Sequence, residues 1–306
     1  MSGSLLSIRK RIKSIKNTRQ VTKAMEAVAG SKMRKAVDRA VASREYSIMA
    51  AELIQNLASH GAVIQHPFTE VYESKKILAL LITSDRGLCG AFNAQVIRTA
   101  LKFAESHGHD NVDFVCLGRK GEGALKRVGR TFLASFPHVD RPTPVNILTI
   151  SQFLTEEYKK KCYGRVVIIF TDFQSSIKQQ AVVKQLLPLS QDIATLVGPE
   201  GKQDANSGVA DSEAGSSEKE LEYIFEPDTK VVLEALFPRF VETQLYQTIL
   251  ESLASEHVAR MFAMRSATDN ASEIIEDLTL TYNQARQAGI TQEIAEISAG
   301  KAALEL

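Results

Sequence analysis

The sequence predicts an α/β protein in which long N- and C-terminal helices form an antiparallel coiled coil, with a small Rossmann-like α/β domain inserted between them. The first part of the chain lacks proline and repeats apolar residues at helical spacing. The last part does the same with one strong helix breaker. Between them, short runs rich in β-branched residues alternate with helix-like segments, as in βαβ units.

The N-terminal helix is predicted from Leu5 to about Leu57, a stretch with Gly30 as its only interior glycine. An ordinary helix has about 11–12 residues, so one of this length indicates a coiled coil, a shaft or an arm. Steps of three and four residues predict one apolar stripe, formed by Ile8, Ile12, Ile15, Val21, Met25, Val28, Met33, Val37 and Val41.

The C-terminal helix is predicted from Thr229 to about Ala299. Pro238 predicts a kink or an N-terminal turn, and Gly289 is expected to weaken the helix near its end. The predicted stripe consists of Val232, Leu236, Phe240, Leu245, Ile249, Leu253, Met261, Met264, Ile275, Leu278 and Tyr282.

The two helices carry opposite charge. Eleven bases crowd residues 9–39 of the first helix, whereas the second is mostly acidic between Glu251 and Glu296. Opposite charges at opposite chain ends favour an antiparallel helix pair, in which charge attraction orients the helices and the apolar stripes pack against each other. Two alternatives remain for the basic helix: a solvated face, or an arm that binds nucleic acid.

The middle of the chain predicts a small, largely parallel sheet. The expected strands are 75–83, 111–118 and 164–173, with 181–189 as an additional edge strand ended by Pro188. Helix-like segments separate them at Ala91–Ser106, Gly121–Val128 and Ile147–Lys161. Residues 198–220 are rich in Gly, Ser and acids, which predicts a mobile surface loop.

Composition excludes several classes of protein. With 44% hydrophobic and 24% charged residues, the 306-residue chain can bury a sizeable core. No apolar run approaches the roughly 20 residues that span a bilayer, and the basic N-terminus lacks the apolar core of a signal peptide. We reject a transit peptide because the helical pattern runs on without a break. Three widely spaced cysteines favour a reducing compartment over disulfides or zinc.

The segment ITSDRGLCGAFNA (82–94) has the layout of a catalytic or phosphate-binding loop at a strand end. No lysine follows its glycines as a Walker A loop requires, and no histidine lies nearby to activate Cys89. The glycines after the second strand have the wrong spacing for a dinucleotide fingerprint. Asp85 and Asp172 lack a third ligand for a metal. We therefore predict no catalytic residue, no cofactor and no metal.

Four segments resemble the γ subunit of the F-type ATP synthase, in that family's order and over nearly the whole chain. They are IRKRIKSIKNTRQVTKAMEAVAGSKMRKA (8–36), TSDRGLCGAFN (83–93), LYQTILESLASEHVARMFAMRSATDNA (245–271) and NQARQAGITQEIAEISAG (283–300). The resemblance implies a non-catalytic central-stalk rotor that couples proton flow through the c-ring to ATP synthesis or hydrolysis at the β subunits.

The same resemblance implies partners and a location. The partners are the α and β subunits of the ring, the ε subunit and the c-ring, and nucleic acid is not among them. The location is peripheral, on the cytoplasmic face of a bacterial inner membrane. The expected divisions are an N-terminal helix over 1–60, an α/β domain over 70–195, an acidic flexible loop over 196–225 and a C-terminal helix over 226–306.

Contact residues follow from the matching motifs. Towards the β subunit the resemblance implies Met25, Arg86, Cys89, Arg260, Arg286, Gln287 and Thr291. Towards the ε subunit and the c-ring it implies Tyr223, Glu226 and Pro227.

Two departures from the family pattern change what we expect. Gly300-Lys301 stands where Gly-Ala is common, which places a charge near the tip. The 198–220 loop lacks the cysteine pair of the chloroplast type, so redox regulation is not expected and a bacterial origin is favoured.

Overall fold

The computed structural model describes residues 2–59, 66–139, 141–189 and 229–304. Two helices dominate it: α1, Ser2–Ser59, with 58 residues, and α5, Thr229–Leu304, with 76 residues. Both match the long terminal helices that the sequence predicts. Pro238 lies inside α5 rather than in its first turn, and α5 continues past Gly289. None of the helices in these ranges is long and apolar enough to cross a membrane.

The elements between the long helices alternate as expected. The strands are β1 (Ile77–Ile82), β2 (Val112–Leu117), β3 (Phe132–Phe136), β4 (Arg165–Phe173) and β5 (Gln179–Leu187). The helices are α2 (Phe92–His107), α3 (Arg119–Arg127) and α4 (Pro144–Lys159), with a 3₁₀ turn at His109–Asn111. Sequence reasoning missed β3, because its five residues FLASF are too short to give a periodic signal.

The five strands form one sheet in the order β3-β2-β1-β4-β5. The β1–β2, β1–β4 and β2–β3 pairs are parallel, and β5 runs antiparallel to β4 at the edge. Alternate residues of β1 enter different cores, since successive strand residues point to opposite faces. Leu78, Leu80 and Ile82 belong to one core, whereas Ala79 and Leu81 belong to the other.

Helices cover both faces of the sheet. Val96 and Ala100 of α2 and Leu125 of α3 pack in the core that contains Ala79. The opposite core takes Leu154 and Tyr158 from α4, together with several residues from the first part of α5. Those α5 residues are Leu233, Phe237, Phe240, Val241, Leu245 and Ile249. This part of the C-terminal helix is therefore an integral layer of the α/β domain.

The chain divides into two compact units. One comprises Met33–Gly87 and Ala91–Glu256 and contains the sheet. The other comprises the chain up to Lys32, Leu88–Gly90, and the chain from His257 onward. In this second unit α1 and α5 run antiparallel. Thr268 Oγ1 lies 2.8 Å from Thr22 Oγ1, and a Cβ built on Gly30 would lie 3.6 Å from Met261 Sδ.

The predicted apolar stripe of α1 is wrong at four positions, whereas its residues Met33 and Val37 are partly buried. Val21, Val28 and Val41 are 54%, 58% and 54% exposed, and Met25 is 41% exposed. The buried positions are instead small or polar: Thr22, Ala29, Ala36, Ala40 and Ser47. Small residues at the buried positions of α1 are compatible with a close approach of a neighbouring helix.

One ion pair joins the basic N-terminal helix to the acidic C-terminal helix. Arg44 Nη2 of α1 lies 3.1 Å from Glu251 Oε1 of α5. Many other bases of α1, including Arg9, Lys13 and Lys16, are exposed. The predicted loop over 198–220 lies outside the described residues, and the predicted domain limits stay predictions.

Candidate functional site

The β1–α2 loop is a tight turn whose polar groups are engaged within the domain. Ser84 N donates to Asn93 Oδ1 at 3.0 Å, and Ser84 Oγ donates to the Arg86 carbonyl at 2.6 Å. Leu88 and Gly90 have positive φ angles of 63° and 56°, which close the turn. The arrangement explains the sequence GLCG by backbone geometry rather than by catalysis.

The N-terminus of α3 is closed to an external anion. Arg119 N donates to Asp85 Oδ1 at 2.9 Å and Gly121 N to Thr83 Oγ1 at 2.8 Å, while Lys120 N donates to the Ser84 carbonyl at 3.1 Å. These are the first-turn donors that a bound phosphate would use. Residues 83–85, which follow β1, already occupy these donors.

The glycines at this junction serve packing. Gly118 has a φ of +100°, and a Cβ there would lie 2.1 Å from the Thr83 carbonyl oxygen. A Cβ on Gly121 would lie 2.9 Å from Thr83 Oγ1. Both positions require glycine because α3 begins directly against β1.

The side chain of Cys89, which was predicted to contact the β subunit, is only 2% exposed. Gly90 beside it sits against α5 within the same unit, where a Cβ would lie 3.8 Å from Ala263 Cβ. Leu88, at 61% exposure, is the apolar residue that this loop presents. Arg86 is exposed, as a contact residue must be.

Thiol and metal chemistry find no support in the described ranges. Burial raises the pKa of the Cys116 thiol to about 12, which removes its nucleophilic form at neutral pH. Cys162 is the one exposed cysteine of the three. Asp85 accepts backbone hydrogen bonds, and Asp172 accepts one from Gln174. No group of three or more His, Cys, Asp or Glu side chains there could hold a metal.

The remaining predicted contacts lie along the helix pair. Met25 is partly exposed on α1, and Arg260 Nη1 donates to His257 Nδ1 at 3.3 Å on α5. Arg286, Gln287 and Thr291 are exposed. Arg260 and Arg286 are separated by about 39 Å along α5 at ~1.5 Å per residue, so these residues line a surface rather than one pocket.

Sequence reasoning missed two further features of this surface. A polar groove in the same unit as Met25 is lined by Arg19, Gln20, Lys23, Glu26, Arg265, Thr268, Asp269 and Ser272. Near the end of α5, Ile290, Ile294 and Ile297 are 50%, 59% and 73% exposed. Their spacing of four and three residues places them on one helix face, and that spacing was a readable signal. Tyr223, Glu226 and Pro227 lie outside the described residues.

Comparison with known proteins identifies the family. The family model described as ATP synthase matches residues 4–304. The ATP synthase gamma chain of Coxiella burnetii (strain CbuG_Q212) is 41% identical over 303 residues, covering 97% of this chain and 98% of the relative. The ATP synthase gamma chain of Legionella pneumophila (strain Paris) is 37% identical over 301 residues, with the same coverage.

Solved structures support the fold. A chain of the central stalk/c-ring of the Tetrahymena thermophila mitochondrial ATP synthase superposes with a TM-score of 0.61 at 23% identity, covering 81% of this chain and 99% of that one. A chain of the Euglena gracilis mitochondrial ATP synthase, OSCP/F1/c-ring, gives 0.66 at 17% identity, covering 99% and 95%. The chain belongs to the ATP synthase gamma chain family.

Proposed function

We propose that this chain is the central-stalk rotor of an F-type ATP synthase, and that it carries out no bond chemistry itself. It turns within the ring of α and β subunits and couples proton flow through the c-ring to ATP synthesis or hydrolysis at the β subunits. The observation that carries this proposal is the antiparallel helix pair, whose outer face is apolar and charged, in a chain that resembles gamma chains over 97% of its length.

The closed strand-end loop supports the non-catalytic role. In a doubly wound sheet, ligands ordinarily bind beyond the carboxyl ends of the strands. Here the donors at that edge are engaged by Thr83, Ser84 and Asp85. The function of this chain therefore lies in its surfaces.

The proposed contacts with the β subunits are Met25, Arg86, Arg260, Arg286, Gln287 and Thr291. All but Arg86 lie on α1 or α5, on different helix turns, so one orientation of the helix pair would present different side chains to each of three surrounding β subunits. A rotor couples only if it binds the conformations of those subunits with different free energies. The exposed face of Ile290, Ile294 and Ile297 fits an apolar bearing inside the ring.

Contacts with the ε subunit and the c-ring are proposed for Tyr223, Glu226 and Pro227. Charge-assisted hydrogen bonds between Glu226 and polar c-ring loops would suit that contact. The complex would hold the chain peripherally at the cytoplasmic face of a bacterial inner membrane. The 41% identity to the Coxiella gamma chain supports a bacterial setting.

The proposal is tested by complementation of a bacterial strain that lacks its own gamma chain. Inverted membrane vesicles from the complemented strain are assayed for ATP hydrolysis and for ATP-driven acidification. We expect both activities to return, and the chain to co-purify with the α and β subunits. If the chain did not co-purify with the α and β subunits and bound RNA or DNA with a steep salt dependence, the nucleic-acid alternative would be favoured.

A further inference from the structure

The interface between α1 and α5 inside the sheet-containing unit has a polar layer that none of the proposed subunit contacts uses. It consists of Arg44 and Ser47 on α1 with Gln244, Gln247 and Glu251 on α5, which we call the polar clamp. Gln244 Nε2 donates to Ser47 Oγ at 3.0 Å. Gln247 Nε2 donates to Glu251 Oε1 at 2.8 Å and to the Ala40 carbonyl at 3.2 Å.

The clamp also joins both helices to the sheet. Arg44 Nη2 donates to Glu251 Oε1 at 3.1 Å and to the Phe173 carbonyl, at the end of β4, at 3.3 Å. Lys184 of β5 donates to Gln244 Oε1 at 3.4 Å. Two sets of hydrogen bonds therefore join the helices to the sheet. Ser47, Gln244 and Lys184 link α1, α5 and β5. Gln247, Glu251 and Arg44 link α1, α5 and β4.

The Arg44–Glu251 ion pair contributes little to stability by itself, because the Arg44 side chain is 42% exposed. The Glu251 side chain is 12% exposed, and burial raises its pKa. The charge of Asp172 acts in the same direction, whereas the hydrogen bond from Gln247 and the charges of Arg44 and Lys184 oppose it. Apolar residues of similar volume often replace such a pair with no loss of stability. A polar layer in a helix interface is best known for fixing register.

We propose that the polar clamp is the rotational lock of this protein: it fixes α1 and α5 against turning relative to the sheet, so that torque carried by the helices reaches the α/β domain without slip. This inference rests on the rotor function proposed above. Apolar contacts with Phe240 and Leu245 resist separation of the helix from the sheet, but they are non-directional. Hydrogen bonds are directional, and they weaken steeply when the helix turns about its axis.

The test measures torsional compliance in single assembled complexes. The α and β subunits are fixed to a surface, and a bead is attached through Cys162, the exposed cysteine of the α/β domain. The spread of the bead angle during pauses at low ATP reports the compliance between ring and domain. We expect Arg44→Met and Glu251→Gln each to widen that spread, and vesicles with either variant to lose acidification relative to ATP hydrolysis.

Arg239→Met is the matched control. It breaks the Arg239 Nη1–Glu242 Oε2 pair of 3.0 Å, which lies on the same helix but has an exposed arginine, and we expect the wild-type spread. Arg44→Lys keeps the charge and should restore part of the stiffness lost in Arg44→Met. Equal spreads in wild type, both clamp variants and the control would overturn the inference.

Measurements of the melting temperature distinguish a clamp that resists rotation from an ion pair that only stabilises the fold. Arg44→Met leaves Glu251 buried without its cation, so it should lower the melting temperature, whereas Glu251→Gln should not. Both variants should widen the spread of the bead angle. In Glu251→Gln the helix pair should therefore lose stiffness while the melting temperature stays unchanged. If the spread followed stability alone, the clamp would be structural and the inference would fail. A wild-type bead that did not turn would instead contradict the rotor function.

Discussion

At the residue scale, this chain uses polar groups to position elements where other α/β proteins use them to bind ligands. Thr83, Ser84 and Asp85 end β1 in a way that is typical of a catalytic edge. Their acceptors are instead occupied by the backbone of α3 and its neighbours, at 2.8 to 3.1 Å for Gly121, Arg119 and Lys120. The hydrogen bonds at this edge of the sheet therefore hold the backbone in place.

Gly118 provides a direct test of that junction. Its positive φ and the 2.1 Å approach to the Thr83 carbonyl leave no room for a methyl group. We expect Gly118→Ala to lower the free energy of unfolding by at least about 2 kcal/mol. Gly123→Ala is the matched control in the same helix, where a Cβ meets nothing within 4 Å. It should raise stability by about 0.4–1 kcal/mol. Urea unfolding of both variants checks this, and equal effects would contradict the packing described.

Glu251 makes stability depend on pH. Because its pKa is raised in the folded chain, the folded state holds the proton to a higher pH than the unfolded state does. The free energy of unfolding therefore falls as pH rises from the ordinary glutamate pKa through the raised one. Glu251→Gln removes that loss, so its stability relative to wild type should increase over the same interval. Denaturant midpoints measured between about pH 4 and pH 8 give the comparison, and a parallel pair of curves would be inconsistent with the raised pKa.

At the element scale, the two long helices are held together by an interface that periodicity alone misread. The apolar repeat of α1 predicted Val21, Met25, Val28 and Val41 as its buried stripe, whereas small side chains are buried instead. Hydrophobic spacing indicates that a face exists, but not whether that face meets another helix of the chain or another subunit. The helices and four of the five strands were predictable, since long periodic segments and β-branched runs give strong signals. The polar clamp was not, because Arg44 and Glu251 are 207 positions apart.

The corrected interface predicts how α1 responds to larger side chains. Ala36 is 3% exposed, so Ala36→Leu must push the helices apart and should cost about 1–3 kcal/mol of stability. Val21→Ala, at a position that is 54% exposed, should change stability by no more than about 0.5 kcal/mol. Thermal unfolding of the two variants checks the assignment. A larger loss of stability in Val21→Ala than in Ala36→Leu would instead support the apolar stripe predicted from the sequence.

At the scale of the whole molecule, we propose that exposed apolar residues of α1 contact partner subunits. Met25 is 41% exposed, and the same unit carries a groove lined by Arg19, Lys23, Arg265 and Asp269 among others. Apolar residues set among charges are typical of a contact that must form and release.

Met25→Lys tests that surface. Met25 is already 41% exposed, so the variant should assemble and keep its stability within about 0.5 kcal/mol. The added charge at a moving interface should impair the coupling of proton transport to ATP turnover. Ala27→Lys adds the same charge at a nearby exposed position on the other side of the helix and should leave coupling intact. Acidification per ATP hydrolysed in inverted vesicles is the measurement, and normal coupling in Met25→Lys would remove this residue from the contact surface.

The most direct test of the rotor function is to observe the chain turning. Cys162 allows a bead to be attached to the wild-type sequence, because Cys89 and Cys116 are buried. With the α and β subunits fixed to glass, ATP should drive continuous rotation of the bead in one direction, with pauses at three equally spaced angles. A bead that stays fixed, or moves without direction, while the same complexes hydrolyse ATP would contradict the account.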